Sequence, residues 1–255
     1  MSPATPRQAD VISRLLAARR GGPLVDAVHA TAGPETLDDV YAIQAGVMAA
    51  LGPVGGWKVG RSAADQPAVR APIRAAAIRP SPAVWQPAEA RLRGLELEIG
   101  FRIDATLPAA DAPDFLERLA DAVTPLPVFE IVDSRLADPQ AASPLWRLAD
   151  FQINAGLVYG TPFESDWRAE DFDRPLVRLV ADGAELCAGP ATLPGGTPFT
   201  ALADLVRTCG DHCGGVQPGQ IVTTGSFTGL RFFKPGTTLT GWIAGMPPIT
   251  ASFAA

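Results

Sequence analysis

The stretch Gly94-Leu95-Glu96-Leu97-Glu98-Ile99-Gly100-Phe101-Arg102-Ile103 alternates strictly between two kinds of side chain. In a strand, successive side chains point to opposite faces, so Leu95, Leu97, Ile99, Phe101 and Ile103 share one face and Glu96 and Glu98 share the other. The two glutamate Cα atoms are then ~6.6 Å apart, close enough for their carboxylates to converge on one cation. The same alternation also describes a half-exposed strand with an acidic outer face. Two like charges on one face, with no Lys or Arg beside them, weaken that second reading.

A third carboxylate tips the balance. In Pro127-Val128-Phe129-Glu130-Ile131-Val132, Glu130 interrupts what otherwise reads as a buried strand. A buried glutamate is rare unless it is paired or binds metal. Three carboxylates with no Cys or His near them in sequence suit a hard, oxygen-seeking ion such as Mg²⁺ or Mn²⁺ rather than Zn²⁺. Lys58, in Gly55-Gly56-Trp57-Lys58-Val59-Gly60, sits in a short apolar strand where lysine is depleted. It must face away from Trp57 and Val59, either into a pocket or onto an outer edge that resists aggregation. The run Thr223-Thr224-Gly225-Ser226-Phe227-Thr228-Gly229 offers hydroxyls and backbone N–H groups that could hold a substrate carboxylate, with Thr224 and Ser226 as candidates. It reads equally as a plain turn.

Outward from these segments, short apolar runs at 56–59, 155–160, 175–181, 219–224, 237–243 and 248–253 predict further strands. Helical spacing predicts a helix over 8–20, a second opening at Thr36 with a Thr36/Asp39 capping box, and two more near 112–123 and 199–212. This divides the chain into an N-terminal helical region, 1–54, and a β-rich catalytic domain, 55–255. The 255 residues are 47% hydrophobic, enough for a sizeable core. A formal net charge of −6 argues against a nucleic-acid partner, which needs a basic face. No run approaches the ~20 apolar residues of a membrane span. The N-terminus lacks a signal-peptide pattern, and three cysteines cannot all pair internally, so a cytoplasmic location is expected.

Gly56-Trp57-Lys58-Val59-Gly60, the Glu-x-Glu strand, Val128-Phe129-Glu130-Ile131-Val132-Asp133-Ser134-Arg135, Ala149-Asp150 with Asn154-Ala155-Gly156, and Thr224-Gly225 occur in this order. Together, over about residues 36 to 253, they resemble the 2-oxopent-4-enoate hydratase and 4-oxalocrotonate decarboxylase branch of the fumarylacetoacetate hydrolase superfamily. The resemblance implies an α+β fold, a mixed β-roll with an N-terminal helical part. It implies Mg²⁺ or Mn²⁺ held by Glu96, Glu98 and Glu130, a catalytic Lys58, a substrate contact at Asp150, and a homo-oligomer or a hydratase–decarboxylase complex. Two stretches depart from the pattern: Pro72-Ile73-Arg74-Ala75 stands where Pro-Asp-Phe-Gly is usual, and Phe151 stands where Asn is common. Both changes are expected to alter the pocket around the substrate tail.

The reading that follows is a metal-dependent lyase of small 2-oxo or 2-hydroxydienoic acids. A 2-oxopent-4-enoate hydratase comes first and a 4-oxalocrotonate-type decarboxylase second. A carbon–carbon bond hydrolase is disfavoured, because His29 is followed three residues later by Ala32 rather than Glu. A non-catalytic partner subunit is disfavoured by the intact Lys58 and three glutamates. Cys209-Gly210-Asp211-His212-Cys213 lacks the second ligand pair of a zinc site.

Overall fold

The computed structural model describes residues 4–61, 63 and 65–255. Helix α1 (Pro6–Arg19) and helix α2 (Leu37–Leu51) come first, each opened by a reciprocal capping box, Thr5 with Gln8 and Thr36 with Asp39. The expected Asp-for-Glu box at Thr36 is therefore real: the shorter Asp39 side chain still reaches the Thr36 amide, at 3.2 Å. Thirteen strands follow among the described residues: β1 (Val54–Gly60), β2 (Val69–Arg74), β3 (Ile78–Pro80), β4 (Ala83–Trp85), β5 (Gly94–Ile103), β6 (Val123–Val132), β7 (Asn154–Tyr159), β8 (Leu176–Ala181), β9 (Ala184–Pro190), β10 (Ile221–Ser226), β11 (Arg231–Phe232), β12 (Thr238–Ile243) and β13 (Ile249–Phe253). Helices α3 (Phe115–Asp121), α4 (Pro144–Ala149) and α5 (Pro198–Cys209) interrupt them.

The strands form two sheets. One runs β2-β1-β10-β5-β6-β7-β3, with β11 added beside β5, and the other runs β4-β13-β12-β8-β9. Leu95, Leu97, Ile99, Phe101 and Ile103 all face the large core that the sheets enclose, together with Phe129, Leu239 and Phe253. The opposite face of the first sheet has two ends. Ile73, Leu126, Val128, Leu157 and Ile221 pack together at one. The residues Lys58, Glu96, Glu98 and Glu130 occupy the other.

Several elements differ from expectation. Strand β6 begins at Val123, four residues earlier than the expected start at 127, in spite of Pro125 and Pro127. Proline contributes no donor, but its carbonyl still accepts: Pro127 O takes the Gly160 amide and Pro125 O takes that of Phe163, both at 2.8 Å. Strand β2 carries Pro72 and pairs with β1. The Pro72–Ala75 stretch therefore lies in and just beyond a strand, with Ile73 buried in an apolar cluster. It is absent from the walls of the cavity described below. The helical segment shares a core with α4, in which Val11, Val40 and Ile43 meet Trp146 and Phe151. No helix of the described residues is long and apolar enough to cross a membrane.

Candidate active site

Strand β1 sets the lysine. Gly56 lets it run close beside β10: a Cβ there would lie 2.3 Å from the Ile221 carbonyl oxygen. Trp57 and Val59 are buried, and the Trp57 indole donates to Gln220 Oε1 at 2.8 Å. With its neighbours anchored in the core, Lys58 projects onto the other face. Its ammonium lies 2.8 Å from both oxygens of Glu130 and 3.5 Å from Glu96 Oε2.

Strands β5 and β6 pair antiparallel with Glu96 directly opposite Glu130. Strand β10 lies on the other side of β5, and its register slips between Thr223 and Ser226. The slip is a bulge at Gly225, whose φ of +125° suits glycine. It aims the Gly225 amide at Glu98 Oε2, 2.7 Å away, while the Thr223 hydroxyl donates to the same oxygen. From β7, the Asn154 side chain donates to Glu130 Oε1 at 2.9 Å. Each fully buried carboxylate is thus held by one neighbouring strand.

One oxygen from each of Glu96, Glu98 and Glu130 lies within 4.8 Å of the others. With all three carboxylates ionised against one ammonium, two negative charges would remain in a place where burial makes charge costly. Glu98 Oε1 is buried and has no hydrogen-bond partner among the described residues. Burial pushes the Glu98 carboxyl up, and the neighbouring Glu96 pushes it further. Burial lifts Glu130 to about 8, outweighing the attraction of Lys58, with Glu96 and Glu98 adding to the rise. Burial would lower Lys58, but the three carboxylates overcome it and hold the amine protonated. The surplus of two charges, the all-oxygen donors and the orphaned Glu98 oxygen fit a hard divalent cation. Among the described residues this is the one such cluster. Cys209, His212 and Cys213 do not form another: His212 Nε2 lies 3.0 Å from Gln44 Oε1, and all three cysteines are free.

A cavity of about 260 Å³ opens beside Glu96, walled by Gly60, Arg61, Leu193, Thr224 and Ser226. Arg61 forms an ion pair with Asp204 of α5 at its edge. Ser226 faces this cavity half-exposed. Thr224 also borders it, but its hydroxyl donates to the Ile99 carbonyl at 2.7 Å. Asp150, expected at the substrate, does not border this cavity. It is fully buried, and accepts from the Ser134 hydroxyl at 2.9 Å, the Arg135 amide at 2.8 Å and Arg135 Nε at 2.5 Å. Arg19 of α1 reaches it at 3.5 Å. With both oxygens engaged, Asp150 anchors Arg135, which in turn donates to the Asn154 carbonyl at 3.0 Å. Phe151 packs under the Arg19 guanidinium, 4.6 Å from its ring centre, and does not line the cavity.

Sequence reasoning missed Thr223 as a carboxylate support and Asn154 as the partner of Glu130. Both are buried polar side chains within otherwise apolar strands, which is the signal that singled out Glu130.

No protein-family model and no curated protein sequence matches this chain. Solved structures do. A 4-oxalocrotonate decarboxylase from Pseudomonas putida G7, complexed with calcium and acetate, is similar over 99% of both chains, with a TM-score of 0.81 at 18% identity. A fumarylacetoacetate hydrolase from Exiguobacterium antarcticum is similar over 80% of this chain and 76% of its own, with a TM-score of 0.59 at 16% identity. A fumarylpyruvate hydrolase from Pseudomonas aeruginosa, in complex with Mn²⁺ and pyruvate, is similar over 78% and 88%, with a TM-score of 0.55 at 17% identity. The α+β fold of the fumarylacetoacetate hydrolase superfamily, expected from the sequence motifs, is the fold of this chain.

Proposed function

We propose that this chain is a divalent-metal-dependent lyase acting on small 2-oxo acids, with decarboxylation of a 4-oxalocrotonate-type substrate as its reaction. The observation that carries the metal-dependent reading is the convergence of Glu96, Glu98 and Glu130 around one point with Lys58 against them. Glu96, Glu98 and Glu130 would hold Mg²⁺ or Mn²⁺, which supplies a Lewis acid for the carboxylate–carbonyl head of a 2-oxo acid. Lys58 presents a cationic N–H beside the place where negative charge develops once the carbon–carbon bond to CO₂ breaks and its electron pair enters the enolate. The Gly225 amide and the Thr223 hydroxyl keep Glu98 fixed, so the site does not reorganise as that charge forms.

Decarboxylation is placed before the hydration first expected because the similarity that spans 99% of both chains is to a decarboxylase. Hydration of 2-hydroxypenta-2,4-dienoate uses the same stabilisation of enolate charge and is the second reading. An ultraviolet assay of Mg²⁺- or Mn²⁺-supplemented protein on 2-oxohex-3-enedioate and on 2-hydroxypenta-2,4-dienoate separates them. Stoichiometric CO₂ from the first substrate supports the decarboxylase. Water addition to the second without CO₂ from the first supports the hydratase, and no turnover of either overturns the reading. We also propose a closed homo-oligomer, as the resemblance of the sequence motifs implies. A sedimentation mass of one chain at micromolar concentration would refute it.

A further inference from the structure

Every glycine but one in this chain has an internal reason to be glycine. Of the 25 glycines, 24 either adopt a positive φ or would place a Cβ within 2.9 Å of another atom. Gly60 does neither. Its backbone is not in the left-handed region, and a Cβ there would meet, among the described residues, one atom within 4 Å: Gln152 Nε2, at 3.9 Å, an ordinary contact. Among the described residues nothing but this ordinary contact meets an alanine Cβ at Gly60, so the missing side chain leaves room there.

The position of that room is specific. Gly60 is two residues beyond Lys58 on β1, so its absent side chain would project to the same face as the lysine. Gly60 also walls the cavity that holds Glu96. Gln152 arrives there by an unusual path. Phe151, Gln152 and Ile153 have φ values of 60°, 52° and 57°, three consecutive side-chain-bearing residues in the left-handed region. Each costs on the order of 1 kcal/mol or more. The turn is held by the Ile153 carbonyl, which accepts from the Asp133 amide at 2.9 Å, and by Arg19 over Phe151. It delivers a carboxamide whose Nε2 borders the empty space and whose Oε1 is buried with no hydrogen-bond partner among the described residues.

We infer that the space in front of Gly60 is a substrate subsite, bordered by the Gln152 carboxamide, which holds the chain of a 2-oxo acid beyond its carboxylate–carbonyl head. The inference rests on the function proposed above and adds the residues that select substrate length. Gln152 donates to, or through its free oxygen accepts from, a polar group on that chain. The same turn leads into Asn154, which holds Glu130, and backbone strain of this kind concentrates at ligand sites.

The test uses the full-length protein with saturating Mg²⁺ or Mn²⁺ and isothermal titration calorimetry. Pyruvate probes the head alone, and 2-oxohexanedioate probes the head with a chain ending in a carboxylate. In the wild-type protein the longer acid binds more tightly. Gly60→Ala and Gln152→Leu are each expected to lower the preference for the longer acid about tenfold, while pyruvate affinity stays within about twofold. A preference unchanged in either variant removes that residue from the subsite. Equal weakening of both acids overturns the subsite, since general damage would do the same. Among the described residues outside its chain neighbours, Gly60→Ala creates no contact under 3.9 Å, so it keeps the test valid if Gln152→Leu misfolds. Wild-type protein that binds neither acid overturns the proposed function and the subsite together. Binding of both acids with no change in either variant overturns the subsite alone.

Discussion

Glu96 and Glu130 stand directly opposite each other on adjacent antiparallel strands, and the Lys58 ammonium lies within 3.5 Å of both. Like charges in register across a ladder are destabilising, and these two have Glu98 beside them. One lysine neutralises one of three charges. The remainder makes the site an acceptor for two positive charges, and most of the expected behaviour follows from that imbalance.

Metal addition should stabilise the protein. A divalent ion at 100 times its dissociation constant contributes about 2.7 kcal/mol, which for a chain of this size raises the melting temperature by roughly 5–10 °C. Glu98→Gln should abolish most of that increase. A scanning-fluorimetry titration with MgCl₂ and MnCl₂ checks it, and an equal rise in wild type and variant would count against the assignment of Glu98.

Without metal, stability should fall as pH rises from about 5 to 8. Burial raises Glu130 to about 8 and raises Glu98 in the same direction. A carboxyl whose folded value exceeds its unfolded value holds its proton longer in the native state. Its contribution is present below the unfolded value and disappears as pH climbs through the folded one. Lys58 is shifted upward and does not titrate in this window. Glu130→Gln should flatten the pH dependence of the apoprotein melting temperature. Metal affinity of the wild type should rise over the same interval, because the ion competes with these protons.

Lys58→Met should separate two effects. A lysine on an outer strand edge could be lost with folding almost unchanged. Contacts of 2.8 Å to both Glu130 oxygens imply otherwise. Removing one partner from a buried pair costs about 3–5 kcal/mol. The apoprotein should therefore melt well below wild type, and Mg²⁺ should restore most of the difference. The metal-loaded variant should still lose about 100-fold or more in kcat, measured by CO₂ release. Wild-type kcat in that variant would remove Lys58 from the mechanism.

Asp150→Asn should act on stability before activity. It leaves Arg135 and Arg19 facing each other without their shared carboxylate, and burial together with Arg135 already depresses Arg19 to about 9. A loss of about 3–5 kcal/mol, roughly 10 °C in melting temperature, is expected. Metal affinity should fall less than in Glu98→Gln, because Asp150 reaches the site only through Arg135 and Asn154. Unchanged melting would refute its role as an anchor.

The sequence by itself determined the parity of the site. Leu95 to Ile103 alternate, so Glu96 and Glu98 had to share a face, and Trp57 and Val59 had to send Lys58 to the side opposite their own. Capping residues set the helix starts in the same local way. What only the tertiary structure decided is which strands stand side by side and in what register. That Glu96 opposes Glu130, that β1 runs parallel to β10, and that the bulge at Gly225 turns an amide onto Glu98 all depend on partners up to about 165 residues away. Asp150 shows the limit most clearly. Its place in a motif suggested a substrate contact, whereas its oxygens are taken by Ser134 and Arg135, and the three left-handed residues after it lead to Asn154, which reaches Glu130. Alternation is a property of neighbouring residues along the chain. Register, bulges and left-handed turns are chosen by the packing of whole strands, where the burial of many apolar side chains outweighs a local cost of a few kcal/mol.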